Sequence, residues 1–291
     1  MTQLTQFIFT LYPHESTGPF FLKPYAYIFR GIFMDWLKQY NATIGNLLHQ
    51  KQPKDSPLFV LDYALQQKLH YPQQLNRRSG NNRFRSSTNS TGSRNSKVEK
   101  ITYIISSLND NISRTLLDFI LQQKESTIQY AMQKAVITQV EIKQKSLKDL
   151  VQSATIIPSL SVKFLSPTAF SIRGRNSTMR FPLPEYFFPN LAKLWDSVFA
   201  GTEMAVPTEF FEWVSKNVSV SSYQMKTHAW SMGKNVKFAG AMGWIKYLNE
   251  DVENPMGKWL DILTRFGEDM NTGNGRTAGF GHFKRYRERK Q

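Results

Sequence analysis

The stretch Lys100-Ile-Thr-Tyr-Ile-Ile-Ser-Ser-Leu-Asn-Asp-Asn-Ile-Ser-Arg-Thr-Leu-Leu-Asp-Phe-Ile-Leu-Gln-Gln, residues 100–123, decides the fold because it joins a strand to a helix. Its first eight residues are rich in β-branched and aromatic side chains, which predicts a strand. From Asp110 onward, apolar side chains recur at three- and four-residue steps, which predicts an amphipathic helix to Gln123. The chain is therefore expected to mix strands and helices.

The elements on either side of this stretch complete one alternating unit. Strands are predicted at residues 3–11, 58–64 and 135–142, and a helix is predicted at residues 25–40. A second short helix is expected to end near His49. In chain order the first half is thus β-α-β-β-α-β, which is the ferredoxin-like order.

The same order begins again in the second half of the chain. Strands are predicted at residues 160–166, 218–227, 236–245 and 278–286, with helices at 190–199 and about 255–266. We therefore predict an α+β protein of two tandem ferredoxin-like domains, residues 1–155 and 156–291. Residues 73–100 lack an apolar period and are rich in Arg, Asn, Ser, Thr and Gly, so we interpret them as a flexible basic insertion.

Composition narrows the class of partner. The 291 residues carry 37 Lys+Arg against 22 Asp+Glu, a net charge of +15 that favours nucleic acid or an anionic membrane. No apolar run has the roughly 18 residues of a membrane span. The first 22 residues hold no Lys or Arg, so a secretory signal is not expected and we infer a cytoplasmic protein. Zero cysteines exclude disulfides, thiolate zinc sites and cysteine nucleophiles.

A glycine-rich segment near the end of the chain has the composition of an anion-binding loop. Residues 273–287 read Gly-Asn-Gly-Arg-Thr-Ala-Gly-Phe-Gly-His-Phe-Lys-Arg-Tyr-Arg. Glycine lets backbone N–H groups approach a phosphate, and the cations beside it suit a polyanion. The residues expected to contact RNA here are Gly273, Gly275, Arg276, Gly279, Gly281, His282, Lys284, Arg285 and Arg287.

Further candidates for RNA contact lie elsewhere in the second half. Arg173, Arg175 and Arg180 form another basic cluster, which could lie in a cleft or along an RNA hairpin. Trp230 and Tyr286 can stack on unpaired bases. We expect Trp244 to pack in the core because it follows Gly243 in an apolar strand, and His228 to be a packed polar residue.

Four blocks of sequence carry a resemblance to a known family. They are residues 46–49 (Asn-Leu-Leu-His), residues 162–170 (Val-Lys-Phe-Leu-Ser-Pro-Thr-Ala-Phe), residues 238–243 (Phe-Ala-Gly-Ala-Met-Gly) and the glycine loop with its Gly-Phe-Gly ending. In this order and spacing the chain resembles the CRISPR-associated repeat endoribonucleases of the RAMP superfamily. The resemblance implies two ferredoxin-like domains and CRISPR repeat RNA as the partner, with no metal and no cofactor. Other subunits of a CRISPR effector complex and a second copy of the chain are further partners to consider.

The resemblance also implies a reaction. In that family a ribose 2′-OH attacks the adjacent phosphate, which leaves a 2′,3′-cyclic phosphate and a 5′-OH. Such a step needs a proton acceptor, a proton donor and a cation near the phosphate. Histidine suits either proton role, and His49 shares its segment with Lys51 and Lys54. His49 also matches the family's catalytic histidine.

The helpers of His49 are less clearly defined by the sequence. Lys54 resembles a lysine that some members place after the histidine, and Lys51 is the alternative. Some members use a tyrosine on the first helix, where this chain has Met34, and Met34 cannot donate a proton. An inactive repeat-RNA-binding subunit of a CRISPR complex is therefore the alternative function.

Overall fold

The computed structural model of the chain describes residues 3–15, 20–21, 26–43, 59–65, 97–98, 100–122, 127–130, 133–233 and 236–286. His49, Lys51, Lys54 and Arg287 lie outside these residues, as does nearly all of the basic insertion. The strands are β1 (Gln3–Pro13), β2 (Phe20–Phe21), β3 (Phe59–Leu65), β4 (Lys97–Val98), β5 (Ile101–Ser107), β6 (Thr127–Tyr130), β7 (Gln133–Ser146), β8 (Ser159–Thr168), β9 (Phe170–Ser171), β10 (Thr178–Met179), β11 (Val218–Gly233), β12 (Val236–Asn249) and β13 (Phe283–Arg285). The helices are α1 (Ala26–Tyr40), α2 (Asp110–Gln122), α3 (Leu147–Gln152), α4 (Pro184–Phe199), α5 (Glu209–Asn217) and α6 (Gly257–Met270), with a 3-10 turn at Arg276–Ala278.

The first sheet has five strands in the order β3-β5-β1-β7-β6, and every paired neighbour is antiparallel. Alternate residues of β1 (Phe7, Phe9) are fully buried against α1 and α2. On these helices Trp36 and Phe119 stack with their ring centroids 4.3 Å apart. The sheet face that carries Phe7 and Phe9 and the apolar stripes of the two helices thus form one core.

The second sheet has four strands in the order β11-β12-β8-β13, again antiparallel. Helices α4 and α6 cover one of its faces with Trp195 and Phe266, which pack in a core with Phe164 of β8. The opposite face of this sheet, with the exposed side chains of Lys163 and Gln224, does not pack against α4 or α6, and it is called the helix-free face here.

The two sheets repeat one topology. When β1, β3, β5 and β7 are numbered 1 to 4, and β8, β11, β12 and β13 likewise, both units have the order 2-3-1-4, with helices after the first strand and after the third; β6 is an additional edge strand of the first sheet. This is the ferredoxin-like arrangement, so the prediction of an α+β protein with two tandem ferredoxin-like units is confirmed. The division at residues 155 and 156 stays a prediction.

The two units share buried contacts. Leu4, Val60 and Leu108 of the first unit belong to the core cluster of the second. Asp269, at the end of α6, accepts a hydrogen bond from Lys145 Nζ at 2.8 Å and one from Gln6 Nε2 at 3.5 Å. The first sheet is therefore fixed to the helix that leads into the glycine-rich segment.

Several elements differ from the sequence prediction. Helix α4 begins at Pro184, six residues before the expected start, because proline is favoured in the first helical turn. The last strand covers only Phe283–Arg285, since Arg276–Ala278 form a 3-10 turn and Gly279 and Gly281 after it have left-handed backbone conformations. Helix α5 was not predicted.

None of the helices in the described residues is both long and apolar enough to cross a membrane.

Candidate nucleic-acid interface

The glycine-rich segment connects α6 to β13 as a tightly folded loop. Gly273, Gly275, Gly279 and Gly281 all have positive φ, between 72° and 83°. Residues with a Cβ rarely adopt this conformation, so the loop requires glycine at these four positions. Its shape follows directly from its sequence.

The loop packs backbone against backbone. A Cβ on Gly281 would overlap the carbonyl oxygen of Thr272, and a Cβ on Gly273 would lie 2.5 Å from the carbonyl oxygen of Ala169. The N–H of Thr272 donates to the Gly281 carbonyl at 3.0 Å, and the N–H of Asn274 donates to the Ala169 carbonyl at 2.8 Å. The loop is therefore closed on itself and attached to the end of β8.

Helix α4 holds the entry of the loop. The Asn190 side-chain oxygen accepts from the Gly273 N–H at 2.7 Å and from the Thr272 hydroxyl at 3.1 Å. Thr272 is fully buried, so these bonds replace water that the loop backbone would otherwise need.

Three consecutive backbone N–H groups of the loop donate no hydrogen bond to any described residue. No described residue accepts a hydrogen bond from the backbone N–H of Gly275, Arg276 or Thr277. Gly275 has a left-handed conformation and precedes the 3-10 turn, and Arg276 and Thr277 are the first two residues of that turn. Successive N–H groups in such a turn form a concave surface that favours an anion.

Arg276 adds a cation to this turn. The side chain is 8% exposed, and burial lowers the pKa of its guanidinium to about 10. Its Nη1 is the only buried side-chain nitrogen or oxygen of the described residues without a hydrogen-bond partner. A buried, charged donor without an acceptor is unfavourable, and an anion would relieve it.

The turn lies against the first unit. Residues 276–278 contact both α1 and β3. These two elements flank residues 44–58, the segment that carries His49, Lys51 and Lys54. Met34 of α1 is 4% exposed and packs in the first core, and Tyr40 packs edge-on against Phe119 at 5.4 Å.

The cations after the loop are engaged within the protein. Arg285 forms an ion pair with Asp261 at 2.5 Å, and Lys284 Nζ donates to the Glu268 carbonyl at 3.2 Å. The His282 N–H donates to the Ser166 hydroxyl at 2.8 Å, and its Nδ1 lies 3.3 Å from Asn271 Oδ1. These residues attach β13 to α6 and β8, a role that sequence reasoning had not assigned.

The arginine cluster lies beside the loop. Arg173, Arg175 and Arg180 are exposed in the β9–β10 hairpin, which turns at Gly174. Ser171 at the start of this hairpin donates its hydroxyl to Asn274 Oδ1 at 3.1 Å. This hydrogen bond joins the start of the arginine-bearing hairpin to the glycine-rich segment.

Two predictions about side chains of the second sheet are wrong. Trp244 is only partly buried and lies outside the core, on the face of β12 opposite to the fully buried Ile245. His228 is exposed on β11. The signal was present in the sequence, because Trp244 and Lys246 alternate with Ile245 and Tyr247. Trp230 lies near the loop, with its ring centroid 6.1 Å from that of Phe280.

Comparison with known proteins agrees with this geometry. Residues 162–283 match the family model of the CRISPR-associated endoribonuclease Cas6. Similar solved structures include a Cas6 product complex (15% identity, TM-score 0.69, covering 98% of this chain and 100% of that one). Others are Cas6 from Thermus thermophilus (15%, 0.67, 98% and 99%) and a Cas6-related protein from Pyrococcus furiosus (15%, 0.56, 98% and 100%). No curated protein matches the chain.

These findings agree on the class of fold. The architecture is the double ferredoxin-like fold, which a RAMP protein that binds different RNA substrates shares (TM-score 0.57). Within that class, the resemblance to the CRISPR-associated repeat endoribonucleases is confirmed by the match over residues 162–283.

Proposed function

We propose that this protein is a metal-independent endoribonuclease that cleaves precursor CRISPR RNA within its repeats. The observation that carries the proposal is the contact of the 3-10 turn with α1 and β3, the elements that flank the segment holding His49. An anion-binding turn and an acid–base group from opposite ends of the chain would then meet at one phosphate. The Cas6 product complex among the similar structures agrees with this reaction class.

The chemistry is an internal transesterification. The 2′-oxygen bonds to phosphorus as its proton passes to a base, and the phosphorus–O5′ bond breaks as the leaving oxygen takes a proton. The products are a 2′,3′-cyclic phosphate and a 5′-OH. His49 serves in proton transfer, since an imidazole titrates near neutral pH. Lys54, or else Lys51, stabilises the charge that develops on the phosphate oxygens.

The loop binds and places the phosphate. The N–H groups of Gly275, Arg276 and Thr277 and the unpartnered Nη1 of Arg276 form its anion site. Because backbone donors are fixed before binding, they lose little freedom when the RNA arrives. Arg173, Arg175 and Arg180 extend the positive surface along the repeat, with Arg287 following β13 in sequence. After cleavage the protein can remain on the 3′ product as a subunit of an effector complex.

One assay tests this function. The protein is incubated with its cognate repeat RNA in EDTA, beside His49→Ala and the control His14→Ala, a histidine that directly follows β1. We expect cleavage by the unmutated protein and by the control, and a loss of about 10²–10⁴-fold in His49→Ala with RNA binding retained. Cleavage that needs a divalent metal, or that persists in His49→Ala, contradicts the proposal.

Met34 favours a second candidate function, a repeat-RNA-binding subunit that does not cut. The family position for a first-helix tyrosine holds a buried methionine here, and Tyr40 is occupied in packing against Phe119. This candidate predicts tight binding of the repeat with no cleavage under any buffer condition. The same assay therefore separates the two functions.

A further inference from the structure

The helix-free face of the second sheet carries an ordered row of side chains. Backbone register pairs Gln224 with Trp244, Trp244 with Lys163, and Lys163 with Lys284. Directly paired residues of antiparallel strands project on the same side of a sheet. One row therefore crosses all four strands, with an indole at its centre and two lysines beside it.

The neighbouring rows have the same character. On one side Lys226 pairs with Met242, and on the other Lys246 pairs with Ser222 and Ser161. None of the nine residues in these three rows is acidic. Beyond Lys246 the surface continues into a groove of about 810 Å³, whose lining includes Ser161 and the exposed ring of Tyr286.

A side-chain hydrogen bond restrains the indole ring of Trp244. Its Nε1 donates to Gln224 Oε1 at 3.2 Å, which restrains the ring. Lys163, Gln224, Lys226 and Lys284 are all exposed around it. A partly exposed indole beside cations is an unfavourable arrangement for a purely structural residue, since the core on the other face already contains Ile245 and Tyr247.

The geometry points to this face as a platform for single-stranded RNA, with one base stacked on Trp244 and phosphates beside Lys163 and Lys226. The inference rests on the proposed function, because the strand would be the unpaired RNA that flanks the repeat portion held by the glycine loop. Aromatic stacking with flanking cations suits single strands, whose bases are free to turn outward. Double-stranded RNA buries its base faces and cannot use the indole.

The test measures binding of a 12-nucleotide oligouridylate and of a duplex RNA of equal length by fluorescence anisotropy. We expect Trp244→Ala to weaken oligouridylate binding by about 5- to 100-fold and to leave duplex binding within about 2-fold. Trp244→Phe should recover most of the affinity. Charge reversal in Lys163→Glu is expected to weaken both strand binding and its salt dependence.

Matched controls come from the same sheet and the same unit. Tyr223 is 60% exposed but lies on the opposite face of β11, where it packs against Phe181, so Tyr223→Ala should bind like the unmutated protein. Lys193 is exposed on α4, and Lys193→Glu controls for charge reversal. Thermal unfolding of each variant checks that the fold is kept.

The outcomes separate the platform from the proposed function. Oligouridylate binding that is equal in Trp244→Ala and Tyr223→Ala overturns the platform, whether or not the protein cleaves a repeat. Binding that depends on Trp244 in a protein that cuts no repeat supports the platform and rejects the nuclease. Equal losses for duplex and single strand would mean a general charge effect, which also overturns the platform.

Discussion

Arg276 is a residue whose buried charge destabilises the folded protein. Its guanidinium is buried and charged, with one nitrogen lacking a partner among the described residues. A pKa lowered to about 10 means that the charge is unfavourable by on the order of 3 kcal/mol in the RNA-free protein. Such a residue is expected where a ligand supplies the missing partner.

Replacement of this side chain should separate stability from binding. We expect Arg276→Met, which keeps the volume and removes the charge, to raise the free energy of unfolding by about 1–3 kcal/mol. The same change should weaken repeat-RNA binding about 10-fold or more, because the anion site loses its cation. Thermal unfolding and anisotropy measure the two effects. A variant that is less stable and binds normally would show that Arg276 serves only to hold the fold.

At the scale of elements, the glycine loop can form only because its glycines have no Cβ that would clash with neighbouring backbone atoms. Gly281→Ala places a Cβ against the Thr272 carbonyl at a φ of 74°, so the loop must open. We expect a loss of at least about 3 kcal/mol in the free energy of unfolding, together with weaker RNA binding.

The matched control is Gly174→Ala. Gly174 has nearly the same φ, 75°, but nothing lies within 4 Å of its added Cβ. Gly174→Ala should lower the free energy of unfolding by only about 1 kcal/mol, which is the cost of the left-handed conformation for alanine. Similar unfolding midpoints for the two variants in urea would show that crowding at Gly281 is unimportant.

The elements also show what the sequence could and could not predict. Strands β1, β5 and β7 and helices α1 and α2 were predicted because each has a clear apolar period. Pro189 hid the first turns of α4, and the glycines that look extended in sequence instead fold into a turn. Trp244 was misplaced because its neighbours Ala241 and Gly243 suggested burial, although the alternation with Lys246 indicated an outward side chain.

The candidate site was predictable only in part, because tertiary packing brings its distant components together. The sequence identifies Arg276 and the glycines as suited to an anion, but sequence spacing says nothing of α1 and β3, over 200 residues away, against which the turn packs. The ion pair of Arg285 with Asp261 likewise depends on how β13 lies against α6. Contacts between distant elements are set by tertiary packing, which local periodicity does not encode.

At the scale of the whole molecule, charge should dominate affinity. With a net charge of +15 and several basic surfaces, we expect repeat-RNA affinity to fall steeply with salt. Four phosphate contacts to single-stranded RNA would give roughly a 50-fold loss between about 50 mM and 200 mM salt. Titrations at several salt concentrations measure the slope. A nearly flat dependence would contradict binding along the RNA backbone.

The burial of Leu4, Val60 and Leu108 in the core of the other unit has a consequence for how this protein can be divided. Two repeats of one topology suggest two interchangeable modules. Here, however, each half would expose apolar side chains to water if the other were removed, and Asp269 would lose its partners Lys145 and Gln6. We therefore expect the two units to unfold together in one cooperative transition, and either half to be unstable when expressed alone.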